Sequence, residues 1–230
     1  MKAVAVIVAG GTGTRMGSST PKQFLPLLGK PILWHTLQAF TTALNSTIDI
    51  ILVAHKDYIT PTEAIAESLG HTGEIKLIAG GDTRFQSVRN GVQAVTDDAV
   101  ILVHDAVRCL VTKQLIENCY LQTKDYGSAL PVVTATDSIR KGSFTHHEIL
   151  NRNEIHLVQT PQCFLQPQLQ QAFLQPESPL FTDEATVMEA AGFTVQLCKG
   201  DYDNIKITRQ ADLLLAEAIL RQRAEANDTW

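Results

Sequence analysis

The sequence predicts an α/β fold: a doubly wound, mostly parallel open sheet with a protruding β-hairpin arm. Three observations lead there. Apolar, β-branched runs recur at 3–9 (AVAVIVA), 50–54 (IILVA) and 100–104 (VILVH), as in strands buried on both faces of a parallel sheet. Helical patterns separate these runs, which is the rhythm of repeated β-α units. One polar stretch, 137–158, breaks the alternation.

The elements follow in chain order. The first strand runs into a glycine-rich turn, and a helix is expected at about 31–44, with Pro31 in its first position, where a missing N–H costs nothing. After the strand at 50–54 come helices at 61–69 and 83–95. A further helix, at 112–124, follows the strand at 100–104. A helix over 182–191 takes Thr182 as its N-cap, with Asp183 and Glu184 favouring its positive end. A strand is expected just before Lys206, and the last helix covers 209–224. The segment 137–158 carries a Lys-Gly-Ser turn between two short alternating stretches, so it reads as a projecting hairpin. Its apolar residues Ile139, Phe144, Ile149, Leu150 and Ile155 cannot be buried by a hairpin alone. Docking on a second copy and folding back onto its own domain both stay open. With no repeat or linker in view, residues 1–230 read as one domain bearing this arm.

Composition removes whole classes of function. With 19 Lys and Arg against 24 Asp and Glu the net charge is −5, which argues against binding nucleic acid or a membrane surface through a broad basic face. A local basic pocket for an anionic small molecule remains compatible. The four cysteines show no CxxC spacing and read as apolar fillers in a reducing compartment. The seven histidines show no metal-ligand spacing. No apolar run approaches the ~20 residues of a membrane helix, and the expected location is the cytoplasm.

The chemistry concentrates in VIVAGGTGTRMGSSTPKQF, residues 6–24. A P-loop is absent, and the dinucleotide fingerprint is half met, because Met16 stands where its third glycine belongs. What remains is a glycine turn with Arg15 and Lys22. Gly10, Gly11 and Gly13 can present backbone N–H groups to phosphate oxygens without side-chain obstruction. The arginine fork can hold two oxygens of one phosphate, while the lysine is a compact point charge. Such a pair suits a triphosphate whose α-phosphorus gains charge during attack.

The loop, with Pro21-Lys22-Gln23 after it, resembles the signature of nucleotidyltransferases, with a Rossmann-like fold. GGDTRFQSVRNG (80–91), VHDAVR (103–108), RNEIHLVQTPQ (152–162), TDEATVME (182–189) and DNIKIT (203–208) extend the likeness to the 2-C-methyl-D-erythritol 4-phosphate cytidylyltransferase family of isoprenoid precursor synthesis. The resemblance implies cytidylyl transfer from CTP to that acceptor by in-line attack on the α-phosphorus, with Mg²⁺ or another divalent cation as cofactor.

It also implies roles. Ala9, Gly10, Gly11, Thr12, Gly13 and Ala106 would hold CTP, and Arg15 and Lys22 would stabilise the α-phosphate. Gly81, Asp82 and Ser87 would read cytosine, although Gly-Gly-Asp-Thr at a helix start is also a capping sequence. Arg152 and Lys206 would orient the acceptor phosphate, helped by Arg108, Ser138, Thr160 and Thr182; Ser138 stands where the family has threonine. Asp105 would help hold the metal, or else form an ion pair with Arg108. Family members dimerise through the arm, so a homodimer is implied. Two rival readings are a D-ribitol 5-phosphate cytidylyltransferase, differing only in its acceptor pocket, and a non-catalytic CTP sensor, which would need neither loop cation.

Overall fold

The computed structural model describes residues 1–11, 20–71 and 73–227. Thr12, Gly13 and Arg15 lie outside the described residues. The chain opens with β1 (Lys2–Ala9), then a small ribbon of β2 (Pro26–Leu27) and β3 (Lys30–Pro31) leading into α1 (Ile32–Thr42). There follow β4 (Asp49–Ala54), α2 (Ile59–Glu67), β5 (Ile75–Ala79), α3 (Arg84–Gln93), β6 (Ala99–Asp105) and α4 (Lys113–Tyr126). The second half comprises β7 (Ser128–Thr134), β8 (Ile139–Gly142), β9 (His147–Leu150), β10 (His156–Val158) and β11 (Gln162–Leu165). It closes with α5 (Gln166–Ala172), α6 (Glu184–Ala190), β12 (Leu197–Lys199) and α7 (Gln210–Asn227).

The main sheet has the order β10-β7-β11-β6-β1-β4-β5, and β12 also pairs with β7. Its centre, β6-β1-β4-β5, is parallel throughout. All seven residues of β6 are buried, as the continuous apolar run requires of a strand covered on both faces. Alternation along β1 divides the core. Ala3, Ala5, Ile7 and Ala9 pack with α1 and α4 residues such as Leu37, Phe40 and Ile116. Val4 and Val6 face the opposite layer, with Val88 and Val92 of α3 and Val187 and Met188 of α6. A strand with period two therefore feeds two helical layers at once. A third cluster, built on Leu27, Ile32, Leu110 and Ile207, carries α7 through Ala216.

Several boundaries differ from the sequence expectation. Pro31 is the N-cap of α1 and not its first helical residue. The N-cap of α6 is Asp183, not Thr182: the Asp183 carboxylate accepts from Thr186 N, and the Thr186 hydroxyl closes a capping box. A carboxylate against the helix start is the stronger cap. Only the middle of 137–158 forms the separate hairpin, β8 with β9. Residues 156–158 return to the main sheet, antiparallel to β7. The strand before Lys206 is β12, which ends at Lys199; the chain then turns at Asp203-Asn204, and Ile207 N donates to Val107 O. The sequence reading also left out β7 and β11; Pro131 lies inside β7, a residue that ordinarily argues against a strand.

The parallel centre sets the location of any ligand. Val8 is registered with Asp105, Ala9 with Ala54, and Ala54 with Ala79. The carboxyl ends of β6, β1, β4 and β5 therefore finish along one edge, with β1 at the point where strand order reverses. That is where open α/β sheets leave a crevice.

Gly91 lets α3 approach this sheet. A Cβ there would lie 2.5 Å from Val6 Cγ1 and 2.9 Å from Val53 Cγ2. Helix propensity alone favours Gly91→Ala by about 1 kcal/mol. Overpacking costs ~1–3 kcal/mol. The variant is expected to lose stability in urea unfolding, and a gain would show that the helix–sheet contact is loose.

Candidate active site

A cavity of about 550 Å³ opens at the carboxyl edge, lined by residues from six segments. Gly10 and Gly11 follow β1, His55 and Lys56 follow β4, and Gly80 to Arg84 follow β5; Asp105 ends β6 with Ala106 and Val107 after it, and Lys22 and Lys206 come from further loops. The Pro21-Lys22-Gln23 motif has a local explanation. Gln23 Nε2 donates to Ala9 O at 2.8 Å, which latches the turn to the end of β1 and holds Lys22 at the cavity. Lys22 Nζ donates to Ile207 O at 3.3 Å, beside Lys206.

Ser87 organises the glycine segment after β5. Its Oγ accepts from Gly81 N at 3.1 Å and donates to Thr83 O at 2.9 Å. A Cβ on Gly80 would stand 2.8 Å from that Oγ, so a side chain there would push the Ser87 hydroxyl out of these bonds. Thr83 caps α3 by accepting from Gln86 N. Capping and cavity lining thus coexist in one motif, with the exposed Asp82 on the cavity wall.

Asp105 is the electrostatic centre. Its Oδ2 lies 2.7 Å from Lys206 Nζ and 3.9 Å from Arg108 Nε, and its Oδ1 lies 3.3 Å from Arg84 Nη2. Burial would push its carboxyl up, but the Arg84 and Lys206 charges outweigh that and hold it well below the usual carboxylate range. The Arg108 pair foreseen as an alternative to metal binding is therefore present, but as the longest of three contacts. Arg84 is gripped on its other side by Glu184, at 2.6 Å, whose side chain is 1% exposed. The Glu184 charge keeps the Arg84 guanidinium protonated more firmly than usual, against the pull of burial.

His104 and Thr160 brace this centre from inside. His104 Nε2 lies 3.1 Å from Arg108 O, and its Nδ1 lies 2.9 Å from Thr160 Oγ1, which accepts from Asp105 N at 3.2 Å. A backbone N–H only donates and a carbonyl only accepts, which fixes the directions. Nε2–H donates to Arg108, and the Thr160 hydroxyl donates to Nδ1. The Thr160 hydroxyl proton is thus committed inward. Burial pushes His104 down to about 3 despite the neighbouring Asp105.

A smaller cavity of about 230 Å³ adjoins the first and shares Arg84, Asp105 and Lys206 with it. Arg108, Thr160 and Thr182 line it. Arg108 also ties the loops together, donating from Nη1 to Asn204 O at 2.8 Å. Of the residues expected from sequence, Lys22, Gly10, Gly11, Gly81, Asp82, Ser87, Asp105, Ala106 and Lys206 meet at the larger cavity. Ala9 sits buried behind it. Ser138 and Arg152 line neither cavity; Arg152 is exposed and donates to Thr136 O at 2.7 Å. Sequence reasoning missed Arg84, Glu184, His104, His55 and Lys56, the last two on the larger cavity wall. Arg84 and Glu184 each stand at a helix start, where they read as ordinary first-turn charges.

The family model described as IspD, 2-C-methyl-D-erythritol 4-phosphate cytidylyltransferase, matches residues 3–222. A 2-C-methyl-D-erythritol 4-phosphate cytidylyltransferase of Bacteroides thetaiotaomicron is 42% identical, the match covering 96% of this chain and 100% of that one. One from Clostridium botulinum (strain Okra) is 40% identical, over 94% and 96% of the two chains. Among solved structures, the 4-diphosphocytidyl-2C-methyl-D-erythritol synthase of Anaerococcus prevotii superposes with a TM-score of 0.82 at 25% identity, covering 96% and 98% of the chains. The Thermus thermophilus cytidylyltransferase gives 0.75 at 27% identity, covering 94% and 98%.

His104 makes stability depend on acid. The unfolded imidazole, with its ordinary pKa near 6.5, takes up a proton that the folded one refuses until about pH 3. Stability is therefore full above about 6.5 and falls as the pH drops through that window, by about 2 kcal/mol at pH 5. Urea unfolding at pH 7 and pH 5 measures the loss. His104→Gln should flatten it; an unchanged slope in the variant would assign the loss elsewhere.

Proposed function

The chain belongs to the 2-C-methyl-D-erythritol 4-phosphate cytidylyltransferase family, and from that premise we infer how its residues divide the work of one in-line displacement. The activity is cytidylyl transfer from CTP in isoprenoid precursor synthesis. An acceptor phosphate oxygen attacks the α-phosphorus of CTP, and pyrophosphate leaves. The attacking oxygen is already an anion, so no side chain need remove a proton. His104 suits that economy: it is fully buried with both ring nitrogens engaged.

The observation that carries this reading is the pair of adjoining cavities sharing Asp105 and Lys206. The larger holds the nucleotide and the smaller the acceptor, and they meet where the new P–O bond forms. Gly10, Gly11 and Ala106 cradle the triphosphate, while Gly81, Asp82 and Ser87 face the base. Lys22, with Arg15 from the loop outside the described residues, meets the charge growing on the α-phosphate oxygens. Fixed cations in a partly enclosed site stabilise such charge without reorganising. Lys206 and Arg108 hold the acceptor phosphate, Thr182 lines its pocket, and Thr160 keeps the Asp105 backbone in place.

A divalent cation fits as an ion carried by the phosphates. Among the described residues no cluster of three His, Cys, Asp or Glu side chains can hold a metal by itself. Asp105 faces the cavity as a single carboxylate, and Mg²⁺ commonly takes one or two carboxylates with substrate phosphates. Asp105 and the triphosphate would hold the ion, which would neutralise and orient the phosphates.

Two features support a homodimer joined through the arm. Arg152 and Ser138 line neither cavity of their own chain, and Phe144 and Ile149 stand 105% and 71% exposed. A second copy would bury the apolar tip and bring its Arg152 to the acceptor pocket. The free cysteines, including Cys119 and Cys198 with their sulfurs 3.7 Å apart, suit a reducing cytoplasm.

Pyrophosphate release from CTP, assayed separately with 2-C-methyl-D-erythritol 4-phosphate and D-ribitol 5-phosphate, tests the acceptor. Turnover with the first is expected, and turnover with ribitol phosphate alone would overturn it. For the arm, Lys22→Ala and Arg152→Ala chains are co-expressed with different tags and the mixed dimer is purified. Each homodimer should be nearly inactive, whereas a dimer with one intact composite site should recover about half of the parent activity. A monomeric parent, or no recovery in the mixed dimer, rejects sharing of the site.

A further inference from the structure

We propose that Arg84 is a further phosphate-binding residue of this reaction, and that Glu184 is the positioning residue that holds it where the two cavities meet. This deepens the reading above and rests on it. Arg84 lines both cavities, a place shared only with Asp105 and Lys206 among the described residues. Its guanidinium has five N–H donors. Glu184 takes Nη1 at 2.6 Å and Nη2 at 3.3 Å, and Asp105 accepts from Nη2 at 3.3 Å. These three contacts leave donors for a ligand, and the side chain is 36% exposed.

Glu184 explains why the guanidinium stays put. A carboxylate 1% exposed is costly to bury and is kept only when a partner is well placed. Here the partner is a cation at the cavity wall, so the buried charge fixes Arg84 from behind. The charges then alternate across the partition: Glu184, Arg84, Asp105, Lys206. Asp105 stands between the two cations as an acceptor phosphate would. Arg108 adds a third cation beside Asp105, and the other carboxylate on the smaller cavity, Asp183, is already engaged by Thr186 N and Gln162 Nε2. The ligand chemistry is a phosphate monoester, met by the Arg84 charge and by the N–H donors that Glu184 and Asp105 leave over.

The test must separate binding from support of the fold. Removing Arg84 alone strands a buried carboxylate, so R84M loses stability as well as function. The double variant R84M/E184M removes both charges and leaves two flexible apolar side chains, a change that buried ion pairs often tolerate. Melting temperature, equilibrium CTP binding and steady-state kinetics with 2-C-methyl-D-erythritol 4-phosphate are measured on parent, double variant, R84K and E184Q. Expected are a double variant that melts within a few degrees of the parent and binds CTP within about threefold. Its kcat/KM for the acceptor should fall on the order of 100-fold. R84K should recover part of that loss, and E184Q should raise the acceptor KM more than it lowers kcat. Acceptor kcat/KM within about threefold of the parent in the double variant overturns the proposal. If the double variant does not fold, an R84K enzyme with unchanged acceptor KM overturns it instead. A parent that fails to turn over the acceptor counts against the reaction assignment, which is a different failure.

Discussion

The ion network around Asp105 depends on one geometric constraint: four parallel strands end along a single edge, and β6 ends on a carboxylate. Asp105 belongs both to the core strand and to the cavity wall. It therefore fixes Lys206 and Arg84, which come from segments that share no secondary structure with it. The contacts are short because the strand register is rigid, and the register is rigid because alternating residues of β1 bury two helical layers. Packing thus sets the electrostatics. A carboxylate on a free loop would be hydrated and screened, and would not hold two cations in fixed places.

The support behind Asp105 follows from where it sits. A carboxylate at the end of a buried strand needs its backbone held, and Thr160 and His104 do that from the interior. Charging the imidazole there would add another cation beside Arg108 and Lys206 without a second carboxylate to meet it. Burial keeps the ring neutral, with one nitrogen free to accept from Thr160. The cost appears as acid sensitivity. A similar exchange holds at Glu184, where a buried charge lowers stability and gains a guanidinium in a fixed place. Sites that carry strained or unsatisfied groups commonly trade stability for function in this way.

Much of this was legible in the residues. The runs at 3–9, 50–54 and 100–104 are visible because a strand buried on both faces leaves no polar positions, and they locate the carboxyl edge directly. Lys22 and Lys206 stand in recognisable motifs that physical pattern alone also marks as cation-bearing loops. The strands β7 and β11 were illegible for physical reasons: β7 contains Pro131, β11 has only four residues, and its neighbour β6 lies about sixty residues back along the chain. Arg84 and Glu184 were hidden by their surroundings. Each begins a helix, where a charge is ordinary, and only the tertiary fold brings them within 2.6 Å of each other across 100 residues of sequence. The capping of α6 shows the same limit in small. Thr182 and Asp183 are both good caps, and the choice falls to Asp183 because Gln162 also donates to its carboxylate, at 3.1 Å.

On the reading proposed above, the arm and the glycine loop would supply what the strand ends of one chain do not. At the partition between the cavities every charged group is braced: Asp105 by backbone register, Arg84 by Glu184, Arg108 by the Asn204 carbonyl. Arg152, by contrast, stands exposed on a 3-10 turn that follows the hairpin, its guanidinium donating to the nearby Thr136 carbonyl. On the proposed assignment the strand ends face the nucleotide, and Arg152 would meet the acceptor from outside that rigid edge. The projecting hairpin would carry it in, and covering the exposed tip at Phe144 and Ile149 would add to the stability of that element. Coupling the last cation to burial of that tip would make the complete acceptor site a property of the assembled protein, while the larger cavity, proposed above for CTP, would belong to each chain by itself.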